Sequence, residues 1–246
     1  MKYSIIIPYR DRESHLKILL PKLYKYFEGK DYEIIVSEQD DNANFKIACV
    51  ENIAYKYATG DILIFHQVDY IPGDDVSYEL NDHQVVLPHH RGIFVDQNLQ
   101  PRALDDIPSG YRIWRDEIDP NFYGGIIITS RAAFEQINGY NPMYIGWGNE
   151  DEDIRERFKC ANIPTHRNRQ GTFYILYHTD NHPTQDEHAR MKDFTDGKRI
   201  YQKWFDYKHV GFDNLTADVE VFSTPELPNT TWIKSKNYKI DGVVHE

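Results

Sequence analysis

Tyr3-Ser4-Ile5-Ile6-Ile7-Pro8-Tyr9-Arg10-Asp11-Arg12 decides the architecture. The run 3–8 is apolar almost throughout, as a strand must be when helices cover both faces of a parallel sheet. The neighbouring segments agree. Leu16, Leu19, Leu20, Leu23 and Phe27 fall on one helical stripe, a second strand is expected over 32–37, and Phe45, Ala48, Cys49, Ile53 and Tyr57 fall roughly on another stripe. Gly60 is placed to stop that second helix, and 61–65 reads as a third strand. Strand and amphipathic helix thus alternate, which predicts an α/β fold with a Rossmann-like, mostly parallel central sheet flanked by helices.

In open parallel sheets ligands bind beyond the carboxyl ends of the strands, so residues 8–12, 38–41 and 67–69 are the first to weigh. From 96 to 120 periodicity gives way to Pro, Gly, Asp and Arg, which predicts a long connection able to carry binding residues. Strand character resumes over 123–129. Ser130 is placed to cap a short helix through Phe134 and Ile137 that ends at Gly139. Another helix is expected over 150–160, a strand over 172–177 and a polar helix over 185–204. Residues 210–246 show alternating patches without a clear plan. The length of 246 residues suits one sizeable domain. We read residues 1–205 as that domain, with a nucleotide-binding half at about 1–95 and an acceptor or catalytic half at about 96–205, and residues 206–246 as a C-terminal extension packed on it.

A formal net charge of −11 argues against nucleic acid as a partner, because phosphate tracks require clustered Lys and Arg. It leaves room for a single diphosphate neutralised locally by a metal and a few arginines. The 18 tyrosines suit flat, polar-edged surfaces for sugars or bases, and equally the outer core of a polar protein. Cys49 and Cys160 are expected as small buried thiols on helices, with no disulfide framework. No segment has the apolar length of a membrane span and a strand begins at once, so a cytoplasmic protein without a transmembrane anchor is expected. The sequons at Asn214 and Asn229 are then chance matches.

Four constellations can carry chemistry. Pro8-Tyr9-Arg10-Asp11-Arg12 sets two arginines beside an aromatic ring, suited to a ribose and diphosphate with the ring against a base. The same residues also make an ordinary charged strand-to-helix turn. Gln67-Val68-Asp69 puts a carboxylate at a strand end, where it could bind a divalent cation or simply open a turn before Ile71-Pro72-Gly73. In Gly146-Trp147-Gly148-Asn149-Glu150-Asp151-Glu152-Asp153 the acidic run suits a helix N-terminus, but that does not account for two glycines around a tryptophan. Such a group makes a hinged lid with a flat side chain that closes over a sugar, carboxylates alongside. His178, Asp180 and His182 offer imidazole and carboxylate for a first-row metal, or are ordinary surface residues in a chain with 11 histidines.

Taken in order, these pieces resemble the β-1,4-galactosyltransferase family, of the glycosyltransferase family 7 type. Its strand-end Pro-aromatic-Arg-x-Arg is similar to residues 8–12, and its Asp-Val-Asp to Gln67-Val68-Asp69. Its aromatic-Gly-Gly strand is similar to Phe122-Tyr123-Gly124-Gly125. Its Ile-Asn-Gly-aromatic before Trp-Gly-Trp-Gly-Gly-Glu-Asp-Asp-Asp is similar to Ile137-Asn138-Gly139-Tyr140 followed by residues 146–153. The resemblance spans about residues 3–182 and implies a GT-A fold. It implies transfer of a hexose from UDP-galactose or UDP-N-acetylgalactosamine, with inversion, to a glycan acceptor, free or lipid-linked, with Mn²⁺ or Mg²⁺ as cofactor. It implies that Pro8, Tyr9, Arg10, Arg12, Phe45, Val68, Asp69, Gly125, Trp147 and Gly148 bind the nucleotide-sugar. Phe122, Trp147 and Asp151 would bind the acceptor, and Asp151 would also be the general base, with Glu150 beside it. Asp69 and His178 would hold the metal, with His182 or Asp180 as further ligands.

Three departures bear on that implication. Gln67 stands where the family has an Asp, Ile175 stands where it has a third ligand, and Phe122 lacks the hydroxyl of the family's Tyr. The absent anchor points to a microbial or viral enzyme that builds surface glycans. Two alternatives remain: a family 2-like glycosyltransferase, which would not carry Gly-Trp-Gly-Asn-Glu-Asp, and a catalytically silent UDP-sugar or glycan-binding protein.

Overall fold

A computed structural model describes residues 1–107, 114–146, 150–176, 209–223 and 225–241. Strands β1 (Tyr3–Tyr9), β2 (Tyr32–Gln39) and β3 (Ile62–His66) lie parallel with β1 in the middle. Helices α1 (Glu13–Phe27) and α2 (Ile47–Tyr55) connect them. Successive side chains of a strand point to opposite faces. Ile5 and Ile7 therefore meet Leu16, Leu19 and Leu23 of α1 in one core. Ile6 meets Ala48, Cys49 and Ile53 of α2 in the other. Each such aliphatic side chain, once buried, contributes roughly 1.5–3 kcal/mol.

The chain continues through β4 (Tyr70–Pro72), β5 (Val85–Leu87), β6 (Arg91–Val95), β7 (Ile126–Ser130), α3 (Arg131–Gln136) and α4 (Glu150–Cys160). It ends in β8 (Thr165–Arg167), β9 (Thr172–Leu176), β10 (Leu215–Ser223) and β11 (Thr230–Ile240). Among the described residues the large sheet has the order β10-β11-β2-β1-β3-β7-β5-β8. Its β11-β2-β1-β3 portion is parallel, while β10 and β7 run antiparallel to their neighbours. A small sheet, β4-β9-β6, packs its Ile71, Phe94, Phe173 and Ile175 into the α1-side core. No helix among the described residues is long and apolar enough to cross a membrane.

Several local expectations change. Tyr57 is not on the buried stripe but 42% exposed, because the last turn of α2 tightens, with Lys56 N donating to Ile53 O. Gly60 does not stop that helix, which closes at Lys56; its N–H instead donates to the Ser4 hydroxyl at 2.8 Å. Cys160, the last residue of α4, is an exposed free thiol, whereas Cys49 is buried. The strand expected over 123–129 starts at Ile126, after Gly125 turns the backbone through φ +87°. Ser130 caps α3 as expected, its side chain accepting from Ala133 N. Residues 215–240 form a hairpin whose β11 is hydrogen-bonded along β2, so this part of the C-terminal segment widens the central sheet. The polar helix expected over 185–204 lies outside the described residues.

Candidate active site

The carboxyl end of β3 opens into a cleft lined by Ile47, Glu51, Gln67, Gly124, Gly125, Glu150 and Asp151, among others. Three local devices build it. At the end of β3, Gln67 N donates to Gly125 O at 2.9 Å, which clamps the strand end to the glycine pair. A Cβ on Gly124 would come within 2.6 Å of the Phe122 ring and 3.2 Å of Asp151 Oδ2; a Cβ on Gly125 would meet the Tyr70 ring at 2.6 Å. Only glycine lets strand, ring and carboxylate approach this closely. Gly125→Ala, at positive φ and against Tyr70, is expected to lower stability by about 1–3 kcal/mol. Urea unfolding reads this directly, and an unchanged midpoint would mean that Tyr70 simply moves aside.

The third device is α4, whose first turn carries Glu150 and Asp151 to the cleft. Asp153 and Arg157, further along that helix, are 2% and 1% exposed and paired at 2.5 Å. Arg157 also donates to Ile137 O, Gly139 O and Val210 O, and Asp153 accepts from Asn141 and Tyr144. The helix is thereby bolted to the turn before it and to the C-terminal segment. Arg155, one turn after Asp151, donates to Asn121 O, and Arg167 donates to Phe122 O, so the loop bearing Phe122 is held from both sides. Burial raises the Asp151 carboxyl above its ordinary value of 3.8, with the Glu152 charge adding to the effect.

Just after β1, Arg10 donates to Ala43 O at 2.6 Å and its guanidinium lies 5.0 Å from the ring centre of Phe45, which precedes the cleft residue Ile47 in the chain. The structure thus brings two predicted nucleotide residues together. Arg12 stands at the start of α1, half-buried. Pro8 and Val68 are buried. Tyr9 is buried too, its ring nearly perpendicular to that of Trp232 of β11 at 5.2 Å, so it packs against the hairpin. Gly146 N donates to Phe45 O at 2.9 Å, which joins the start of the expected lid to the nucleotide end. Gly146 has φ +89°, a backbone conformation that favours glycine. Trp147 and Gly148 themselves lie outside the described residues.

Asp69 follows β3 by three positions and is half-exposed, and its backbone O accepts from Leu176 N at 2.9 Å. The end of β9, two residues before His178, is therefore beside Asp69. His178, Asp180 and His182 lie outside the described residues, and among the described residues no three His, Cys, Asp or Glu side chains converge as a metal cage. Ile175 is buried in the core opposite Tyr70. An oxygen donor of the Asp69 kind fits a hard divalent cation whose shell is completed largely by phosphate oxygens.

Sequence reading missed Glu51, Tyr123, Tyr140 and Tyr238. Tyr238 of β11 lies with Lys46 Nζ 5.7 Å from its ring centre, beside the Arg10 and Phe45 end. Glu51 had a signal: it is the one acidic residue in α2, a helix otherwise dominated by apolar side chains.

A model described as the N-terminal region of glycosyl transferase group 7 matches residues 1–80, and one described as the N-terminal domain of galactosyltransferase matches residues 114–179. The chain is 29% identical over 210 residues to human β-1,4-galactosyltransferase 4, covering 82% of this chain and 56% of the relative. It is 26% identical over 250 residues to Drosophila melanogaster β-1,4-galactosyltransferase 7, covering 91% and 72%. It thus spans about half the length of the human relative. A crystal structure of a Drosophila β-1,4-galactosyltransferase 7 mutant with manganese, UDP-Gal and xylobiose superposes with a TM-score of 0.67 at 20% identity, covering 99% of this chain and 95% of that one. That likeness establishes a GT-A-like fold. The matched segments carry the two walls of the cleft, strand ends on one side and glycine pair with acidic helix on the other, in the same chain order, and the chain belongs to the β-1,4-galactosyltransferase family.

Proposed function

We propose that the protein transfers galactose or N-acetylgalactosamine from a UDP-sugar to a carbohydrate hydroxyl, with inversion and with a divalent metal, Mn²⁺ or Mg²⁺. The observation that carries this reading is the carboxyl of Asp151 at the cleft wall, its Oδ2 packed over Gly124, with Glu150 beside it.

Asp151 accepts the proton of the acceptor hydroxyl as its oxygen bonds to the anomeric carbon and the bond from that carbon to UDP breaks. The hydroxyl becomes acidic only as the new bond forms, so an ordinary carboxylate suffices as base. Phe122 and Trp147 flank the acceptor, and Glu150 with Gly148 positions the sugars. Arg10 and Arg12 hold the diphosphate, Phe45 packs on the base, and Pro8, Tyr9, Val68 and Gly125 shape the donor pocket. Asp69 and His178 would hold the metal, which when bound supplies charge stabilisation for the departing diphosphate. The free thiols Cys49 and Cys160 suit a reducing compartment, and we read the protein as cytoplasmic.

Asp69→Ala tests the metal arm. Calorimetric titration with UDP is expected to show Mn²⁺-enhanced affinity in the wild type and at least a tenfold smaller enhancement in the variant. Equal enhancement in both proteins would remove Asp69 from the metal site. Gln67 and the buried Ile175 favour the alternative of a silent UDP-sugar-binding protein, which predicts metal-assisted UDP binding with no turnover on any acceptor.

A further inference from the structure

Helix α2 is buried on nearly every side, and Glu51 within it is 2% exposed. Its neighbour Asn52 has a full structural explanation. Asn52 Nδ2 donates to Tyr140 O at 2.8 Å and Asn52 Oδ1 accepts from Tyr140 N at 3.0 Å, which fastens the helix to the loop leading to Gly146. Glu51 has no such partner: among the described residues nothing donates a hydrogen bond to its carboxyl, and the charge of Glu150, of the same sign, acts on it. Ile47 and Glu51, one turn apart, line the cleft together with Gln67, Gly124, Gly125, Glu150 and Asp151. A leucine would fill the same helical position without burying a polar group, so packing does not account for a carboxyl here.

In the same cleft the side-chain amide of Gln67 is likewise without a described hydrogen-bond partner; only its backbone is engaged. Two polar side chains that the fold leaves unused thus face one space, next to the acid assigned to the chemistry. Burial, with Glu150 adding to it, pushes the Glu51 carboxyl well above its ordinary range, which favours its protonated form. A neutral carboxyl offers one O–H donor and one carbonyl acceptor, the pair a sugar hydroxyl complements in both directions. An amide offers the same two functions.

We propose that Glu51, together with Gln67 of the same cleft, hydrogen-bonds a ring hydroxyl of the transferred hexose and thereby sets which UDP-hexose the protein accepts. This rests on the UDP-sugar reading above. It makes Glu51 a specificity residue, distinct from the base Asp151 and from the groups that hold UDP.

The test compares wild type, Glu51→Gln and Glu51→Leu with UDP-galactose, UDP-N-acetylgalactosamine, UDP-glucose and the monodeoxy UDP-galactoses, alongside the affinity for UDP with Mn²⁺. Glu51→Leu is expected to lower kcat/KM for the preferred donor about 10- to 100-fold, the range of one or two lost hydrogen bonds in a closed site. UDP affinity should stay within about twofold, since UDP lacks the ring that Glu51 reads. One deoxy donor, lacking the hydroxyl in question, should be used equally by wild type and Glu51→Leu. Glu51→Gln, which keeps a donor and an acceptor, should retain the wild-type ranking of donors. A uniform fall across all donors and UDP alike, or an unchanged ranking and rate in Glu51→Leu, would overturn the proposal while leaving the transferase reading intact. A wild type that turns over none of these donors overturns that reading, and this proposal with it.

Discussion

Asp151→Asn is expected to lower kcat for sugar transfer by about 10²–10⁴-fold, the usual worth of a positioned general base, while metal-assisted UDP affinity stays within about twofold. The amide preserves the shape of the side chain and its place over Gly124. Binding and folding are therefore preserved, and only the proton acceptor is lost. The pH dependence gives a second readout. A base must be ionised to act, so activity is present above the pKa of Asp151 and falls as pH drops through it. Burial raises that pKa above 3.8, so the acid limb of the wild-type kcat profile should lie above the ordinary aspartate range. Residual activity of Asp151→Asn should lack that limb. An Asn variant with wild-type turnover, or one that keeps the same limb, would assign the base to another residue, with Glu150 the next to test.

The second large effect falls on stability. Arg157→Leu should cost about 3–5 kcal/mol, because it strands Asp153 as a buried charge that has lost its ion-pair partner. It also removes the donors to three carbonyls, Ile137 O, Gly139 O and Val210 O. At roughly 2–4 °C per kcal/mol for a chain of this size, thermal unfolding followed by circular dichroism should shift down by about 6–20 °C. Adding Asp153→Leu should recover part of this loss by removing the stranded charge. It cannot recover all of it, since the three carbonyls remain without their donor. A shift of a degree or two in Arg157→Leu would mean that Asn141 and Tyr144, which already donate to Asp153, satisfy it on their own. Because α4 carries Glu150 and Asp151 on its first turn, loosening this bolt should also lower kcat in protein that remains folded.

Elements buried on both faces were readable from the sequence. Strands β1, β2 and β3 are near-continuous apolar runs because helices cover them on both sides, and α1 carries a clear stripe because only one of its faces meets the core. Helix α4 matches the expected 150–160 because acidic residues favour its N-terminal turn. Short elements were not readable. Strands β4, β5 and β8 have three residues each, too few for any period, and their pairing depends on distant partners. The hairpin of β10 and β11 was hidden for a different reason: much of β10 is exposed, so no clean alternation marks it. At the candidate site, Arg10 and Asp151 were singled out because one follows a strand end and the other stands in an unusual acidic cluster, and Phe45 through the family resemblance. Glu51 was not, because a single glutamate in a helix normally faces water, and only packing on all sides turns it into a buried carboxyl at a cleft.

Metal-dependent sugar transfer is tested most directly by UDP release from UDP-galactose and UDP-N-acetylgalactosamine, with Mn²⁺ or EDTA, in the presence of pooled mono- and oligosaccharide acceptors. The predicted result is release that requires metal and acceptor and favours one of the two donors. Metal-assisted UDP binding with no release on any acceptor, or no UDP binding at all, would contradict it.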